Sequence, residues 1–393
     1  MTAPPSTQER RRWRPFARVW HRWFGILGGL WLLLLAVTGS AITFYDELDS
    51  WLNPDLRTIP VAMAAPASLD VAVKRAEAAV PGFAANNILM PSHPRGTIWM
   101  LGRAPVDGSP RPVEVFADPR DGRTLGWRES GALSFDRRHA MNMLYGLHID
   151  LLAGPWMTWF LGLVSLAWLV DHAIALWLAV PKLARWRAAF AVAGRPGSLR
   201  RLFDWHRAPG MWWWPVTFVL ALTGVTLAWP EDSRHAVALV SPVTGRLHEH
   251  WPDREPPSTP IPIEAAVAAV TRDRTQLHSV RILPDHAAYA VRSFDRRDPD
   301  DQGRLWTYVA MTDGRILARR HDNGTSGADL FFAWQYPLHS GKAFGAIGRW
   351  IVFFGGLVTA ALVVTGWMLW LRRRGRRRRL ECAPIAALTR RSQ

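Results

Sequence analysis

Four long apolar runs set the terms on which this chain can fold. They cover residues 23–45, 155–180, 208–229 and 346–371. Crossing the hydrocarbon core of a bilayer as a helix takes about 20 apolar residues, and at about 1.5 Å per residue each run reaches about 30 Å or more. Lipid offers no partners to backbone N–H and C=O groups, so a spanning segment must satisfy its own. Each run is therefore predicted to be a transmembrane helix. The mean hydropathy of -0.03 conceals this, because it averages these runs with very polar stretches.

The net charge of +16 would suit a nucleic-acid partner if it were spread along the chain, and it is not. Residues 1–22, 181–207 and 372–393 together hold 22 Lys/Arg and three acids, Glu9, Asp204 and Glu381. Segments 46–154 and 230–345 come out slightly negative. The basic flanks alternate with the apolar runs, which is the positive-inside pattern. It predicts cytoplasmic termini and a cytoplasmic middle loop, with the two long segments outside and no role for nucleic acid. Arg10, Arg11, Arg12 and Arg14 are read as topology signals at the lipid headgroups. The first run is too long for a signal peptide, and Asp46-Glu47 follow it in place of a cleavage site, so an uncleaved anchor is expected. The single cysteine, Cys382, excludes an internal disulfide, an iron–sulfur cluster or a Cys-rich zinc site.

Motifs recur in register along the chain. Trp20-His21-Arg22 and Trp205-His206-Arg207 each precede an apolar run. Each has a glycine four residues past the histidine (Gly25, Gly210) and a Thr-Gly pair seventeen past it (Thr38-Gly39, Thr223-Gly224). Tyr145-x-Leu147-His148 and Tyr336-x-Leu338-His339 precede the other two runs, each with a glycine six residues on (Gly154, Gly345). Between them, segment 46–154 reads as a helix at 71–80, strands near 97–101 and 113–117 and a turn at Asp121-Gly122-Arg123. Segment 230–345 repeats that order, with a helix at 263–270, strands near 289–292 and 305–311 and a turn at Asp313-Gly314-Arg315. The whole is predicted to be a tandem duplication. It comprises an all-α transmembrane four-helix bundle with two small α+β modules.

The second and fourth runs align through Gly162-Leu-Val-Ser165 and Gly356-Leu-Val-Thr359. That register sets Asp171-His172 against Thr365-Gly366. An ionisable pair inside a span is costly and is commonly functional or paired. The alternative is a structural Asp171 bonded to a nearby arginine or to the third helix.

The duplication places His21 and His206 at one depth and His148 and His339 at another. Two facing imidazoles suit few ligands. Zinc wants three or four protein ligands, and copper commonly recruits Met or Cys. Haem needs two axial nitrogens and a greasy slot, which the glycines and the abundant Trp and Phe could line. Two bis-His haems, one per leaflet, are expected.

These motifs, in this order and duplicated, resemble the PepSY-associated transmembrane helix family over about residues 15–375. Within it the chain is similar to the ferric-siderophore reductase branch, inner-membrane proteins linked to iron uptake. The resemblance implies haem b held by His21 and His206 on the cytoplasmic side and by His148 and His339 on the periplasmic side. It also implies reduction of a periplasmic Fe(III)-siderophore. The second run lacks the Thr-Gly of the other three, which leaves His172 as an additional or alternate ligand. No nucleotide-binding motif is present, so the electron donor is expected to be a quinol or a separate cytoplasmic reductase. Two rival readings stand beside this one. One is a non-catalytic PepSY membrane protein that binds peptide or protease or assists siderophore uptake. The other is a transporter, which repeats favour but an unbroken set of helices does not.

Overall fold

The computed structural model describes residues 7–61, 67–180 and 183–381. Cys382, the end of the basic tail, residues 1–6 and Lys182 lie outside the described residues. In chain order, helix α1 (Thr7–Trp23) runs through a π-helical turn (Phe24–Gly28) into α2 (Gly29–Ile42). Then come α3 (Tyr45–Leu52), α4 (Pro54–Arg57), α5 (Leu69–Ala79) and strands β1 (Ala84–Leu89), β2 (Ile98–Val106), β3 (Ser109–Ala117) and β4 (Thr124–Glu129). Helices α6 (Ala140–Ile149), α7 (Pro155–Ala179), α8 (Leu199–Trp212), α9 (Trp214–Ala228), α10 (Pro230–Ala238) and α11 (Ile263–Val270) follow. Strands β5 (Leu277–Leu283), β6 (Ala288–Ser293), β7 (Leu305–Ala310) and β8 (Ile316–His321) lead to α12 (Gly327–Ser340) and α13 (Gly345–Glu381). The chain divides into two compact units.

The first unit holds residues up to Ser40, Trp159–Val225 and those from Ile351 on. Three helical stretches are long and apolar enough to cross a membrane: Trp13–Ile42, Pro155–Ala179 and Lys342–Arg376. The third run of the sequence is different. It is the pair α8 and α9, bent by 67°, and makes a fourth span only if the two are taken together. The break has a local cause. Pro215 has no N–H to donate, so the helical bond back to the Met211 carbonyl cannot form. Trp213 takes up the turn at φ −97°, ψ 2°. The expectation of four unbroken helices is corrected here. The unit packs around Leu32, Val164 and Val363, with Phe24, Trp31, Phe160, Trp168 and Trp367 against them. Close approach is built in where α13 meets α2. Ser40 Oγ donates to the Phe353 carbonyl at 3.0 Å, and a Cβ on Gly356 would collide with that same Ser40 hydroxyl.

The second unit holds Ala41–Thr158 and Thr226–Trp350. Its two segments were expected as separate modules. They form instead one antiparallel sheet of eight strands in the order β4-β3-β2-β1-β5-β6-β7-β8. Two four-stranded meanders join where Asn87, Ile88 and Leu89 pair with Arg281, Val280 and Ser279. An unpaired strand edge templates aggregation, and joining β1 to β5 removes one such edge from each meander. One face of the sheet carries a single apolar core. It runs from Leu69, Val73, Ile98 and Val115 on one side to Ile263, Val280, Val291 and Val309 on the other. The helices α5 and α11 that cover this face cap each other. Asp70 accepts from the N–H groups of Ile263 and Glu264 at 2.8 and 3.0 Å. Glu264 accepts from that of Leu69 at 3.2 Å. Each carboxylate thus meets the orphan donors and the positive end of the other helix.

Candidate functional site: two facing histidine pairs

His21 lies in the last turn of α1, just before the π-helical turn, and His206 lies within α8. Neither begins its helix, as the sequence had suggested. Their ring centres are 6.1 Å apart. Each imidazole is held by a hydrogen bond at Nδ1. His21 Nδ1 lies 3.0 and 2.9 Å from the two carboxylate oxygens of buried Asp171. His206 Nδ1 lies 3.0 Å from Thr365 Oγ1. The Thr365 hydroxyl donates to the Ala361 carbonyl at 2.7 Å, so it accepts from His206. A proton on Nδ1 leaves the Nε2 lone pair of each ring for a metal.

The π-helical turn shapes the space beside His21. Such turns shift the backbone register and recur at functional sites. Here the Gly25 carbonyl accepts from the Trp367 indole N–H at 2.9 Å. A Cβ built on Gly25 meets nothing within 4 Å, and one on Gly210 would come only to 3.5 Å from Leu362. Other glycines expected to make room, among them Gly28, Gly348 and Gly356, are instead closely packed against Phe24, Gly341 and Ser40.

His148 and His339 make the second pair, within the other unit. They stand near the C-terminal ends of α6 and α12 rather than at the start of the spans that follow. Their ring centres are also 6.1 Å apart, with the planes at 50°. Each helix is stopped by a left-handed turn: Leu151, Leu152 and Gly154 after His148, and Gly341 (φ 76°) and Gly345 (φ 56°) after His339. Burial, with the neighbouring His148 ring adding, holds His339 far below its ordinary pKa and therefore neutral, the form that binds a metal.

Among the described residues no group of three or more His, Cys, Asp and Glu is placed to hold a metal ion, so each pair offers two imidazoles and no third ligand. With imidazole nitrogen about 2.0–2.1 Å from the metal and a ring centre about 1.1 Å behind that nitrogen, two rings on opposite sides of one iron have centres about 6.3 Å apart. Both pairs fit that span. The residues that could hold a metal-centred cofactor are therefore His21 with His206 and His148 with His339.

The family comparison agrees with this architecture. The family described as the PepSY-associated TM region matches residues 18–373. The chain belongs to that PepSY-associated family. The match takes in all four paired histidines of this PepSY-associated protein, together with both units that carry them. No curated protein matches the chain.

His172 stands apart from both pairs. Its Nδ1 donates to the Trp168 carbonyl at 2.8 Å, and its Nε2 lies 3.0 Å from Thr217 Oγ1. Trp168, Trp214 and Phe218 surround the ring at 5.1–6.0 Å. Both nitrogens are engaged, and the residue ties α7 to α9. Asp171, its neighbour in sequence, is the partner of His21, and among the described residues it has no arginine partner. The repeat register had set Asp171 opposite Thr365, and these are the two residues that orient the first histidine pair. That correspondence was the signal, and only the fold shows what the two positions do.

Proposed function

We propose that this protein is a bacterial inner-membrane oxidoreductase that passes electrons across the membrane and reduces Fe(III)-siderophore in the periplasm. The observation that carries it is the pair of facing histidine pairs, each with ring centres 6.1 Å apart. Haem b bound between each pair would supply one-electron transfer. His21 and His206 are the ligands on the cytoplasmic side, and His148 and His339 those on the periplasmic side. The bonds from Nδ1 to Asp171 and Thr365 would leave the Nε2 atoms of the first pair to hold the iron. The positive-inside distribution supports cytoplasmic termini, and the matched motifs support a tandem duplication. A quinol or a cytoplasmic reductase gives up one electron per ferric ion, and Fe(III) becomes Fe(II). Hard oxygen chelators hold Fe(II) less tightly, so the metal is released.

The test is spectroscopic. Protein purified from haem-replete cells should be red, with a sharp α band on reduction and two haems per chain. His21→Ala or His206→Ala should remove one haem, and His148→Ala or His339→Ala the other. A colourless protein would sink the proposal and leave a non-catalytic PepSY protein. Full haem content in the His21→Ala variant would refute the first pair.

A further inference from the structure

The two halves of the sheet differ on the face turned away from α5 and α11. Strand registers align them residue for residue. Glu114 pairs with Leu101 and Arg128 in the first half, and Trp306 pairs with Arg292 and Arg320 in the second. One strand further in, Leu89 pairs with Trp99 and Arg281 with Ala290. Arg281 and Arg292 therefore occupy the positions of Leu89 and Leu101, and Trp306 that of Glu114.

The consequence is electrostatic. In the first half the buried arginines on this face are neutralised, and the exposed Arg103 towards the end of β2 donates to the Pro110 carbonyl. Arg128 is fully buried against Asp49 and Glu114, both at 2.8 Å, and Arg57 reaches Asp46 at 2.8 Å and Asp49 at 3.3 Å. In the second half three guanidinium groups gather around one indole. Arg292, Arg246 and Arg281 lie 4.7, 4.8 and 5.9 Å from the Trp306 ring centre. Among the described residues, neither Arg281 nor Arg292 has a carboxylate within ion-pair distance. Arg292 donates to the carbonyls of Gly303 and Gln302, and Arg281 stacks on Trp306 with no hydrogen bond. Two acids reach the cluster, both through Arg246: Glu249 at 3.9 Å and Asp322 at 3.6 Å, which they share with Arg234 and Arg304, so the charge left without an ion pair is that of Arg281 and Arg292. Burial and the like charges around it pull Arg292 down to about 10. Two buried donors beside the cluster are unpaired: Nε1 of Trp306, itself 2 % exposed, and Nδ1 of His286. Half-buried guanidinium groups without counter-charges are costly, and an anion that enters relieves that cost through charge-assisted hydrogen bonds.

We infer that Arg246, Arg281 and Arg292, gathered around Trp306, form a binding site for a polycarboxylate, the class of oxygen chelator that carries ferric iron. As a substrate site it rests on the reductase reading; as an anion site it stands on its own.

The experiment is calorimetric titration of the full-length protein in detergent with citrate and with ferric citrate. Arg281→Leu and Arg292→Leu install the residues of the matching first-half positions, which that face accommodates. Each should raise Kd for citrate at least about tenfold, the loss of one charge-assisted bond. Arg315→Leu, in the turn after β7, should leave it unchanged. Should a leucine variant fail to fold, Arg281→Gln, which keeps a polar side chain, must show the same loss. Wild-type protein that takes up no citrate, or Arg281 and Arg292 variants that bind as wild type, would overturn the site. So would equal weakening by Arg315→Leu, or displacement of citrate by equimolar phosphate. The haem spectrum is read on the same samples. Colourless protein that binds citrate defeats the reductase reading alone, and red protein that does not bind it defeats this site alone.

Discussion

Asp171 and Thr365 hold corresponding places on two helices and do the same job with different charge. The carboxylate would make His21 the more electron-rich ligand of a haem held there, whereas the hydroxyl leaves His206 close to a plain imidazole. Asp171→Asn keeps a hydrogen-bonding group and removes the charge, so the ferric form loses support. If His21 and His206 hold a haem as proposed, its midpoint potential should rise in the variant and its affinity should fall by about 10–100-fold. Potentiometric titration of the variant reads both, and an unchanged or lower potential would assign Asp171 a purely structural role. In the second unit the test is stability. Arg128 is the hub of a buried network, and Arg128→Ala would strand Asp49 and Glu114 at a cost of about 3–5 kcal/mol, measurable by chemical denaturation. Two histidines there should also set an acid limit. Burial lowers His248 to about 4, and burial together with Arg292, Lys342 and Arg304 lowers His278 to about 3. The unfolded chain takes up these protons near pH 6.5 and the folded one does not. Stability should therefore fall as pH drops below about 6.5, down to about 4 for His248 and about 3 for His278. A melting temperature lower at pH 5.5 than at pH 7.5, with a smaller difference in His278→Gln, is the expected result.

At the scale of elements, the apolar runs read as helices from the sequence because their length leaves lipid-spanning helix as the one way to satisfy the backbone. Three came through as single helices. The bend at Trp213 was not visible by composition, although Pro215 marks its place. Strands were harder. The sequence picked out β2, β3, β6 and β7, where β-branched and aromatic residues cluster. It missed β1 with its Asn86-Asn87, β4 with Gly126, β5 with its mixed polarity, and β8 with Arg319-Arg320, because these are held by their neighbours more than by their own propensity. The four histidines were legible through spacing, whereas their helical settings depended on turns. Gly341 shows how much one turn decides. It stands two residues past His339 at φ 76°, and a Cβ there would strike the Gly348 carbonyl. Gly341→Ala should displace α12; on the proposed function it costs the haem held by His148 and His339 while sparing the other, so haem per chain should fall from two to one. Retention of both would show that the pair tolerates a rebuilt turn.

At the scale of the second unit, two halves that look like independent modules in sequence share one sheet and one core. Sequence periodicity reports which face of a strand is apolar, and not which strand will sit beside it. The joint between β1 and β5 was therefore beyond its reach, as were the reciprocal caps of Asp70 and Glu264. Asp70→Ala removes the partner of two N–H groups on the opposite half and should destabilise the unit by about 1–2 kcal/mol. Urea melts followed by probes in each half should shift together. A shift confined to the half carrying the substitution would mean that the halves unfold separately.

That mutual capping also bears on whether the halves can be exchanged. Asp70 serves the backbone of Ile263 and Glu264, and Glu264 serves that of Leu69, so a change in either half is felt by a residue almost two hundred positions away. A half exchanged for a foreign one without the matching carboxylate would leave those N–H groups without their partner. Among the described residues the other face carries no such reciprocal cap, and there the halves differ: Arg281 and Arg292 stand where the matching strands hold leucine.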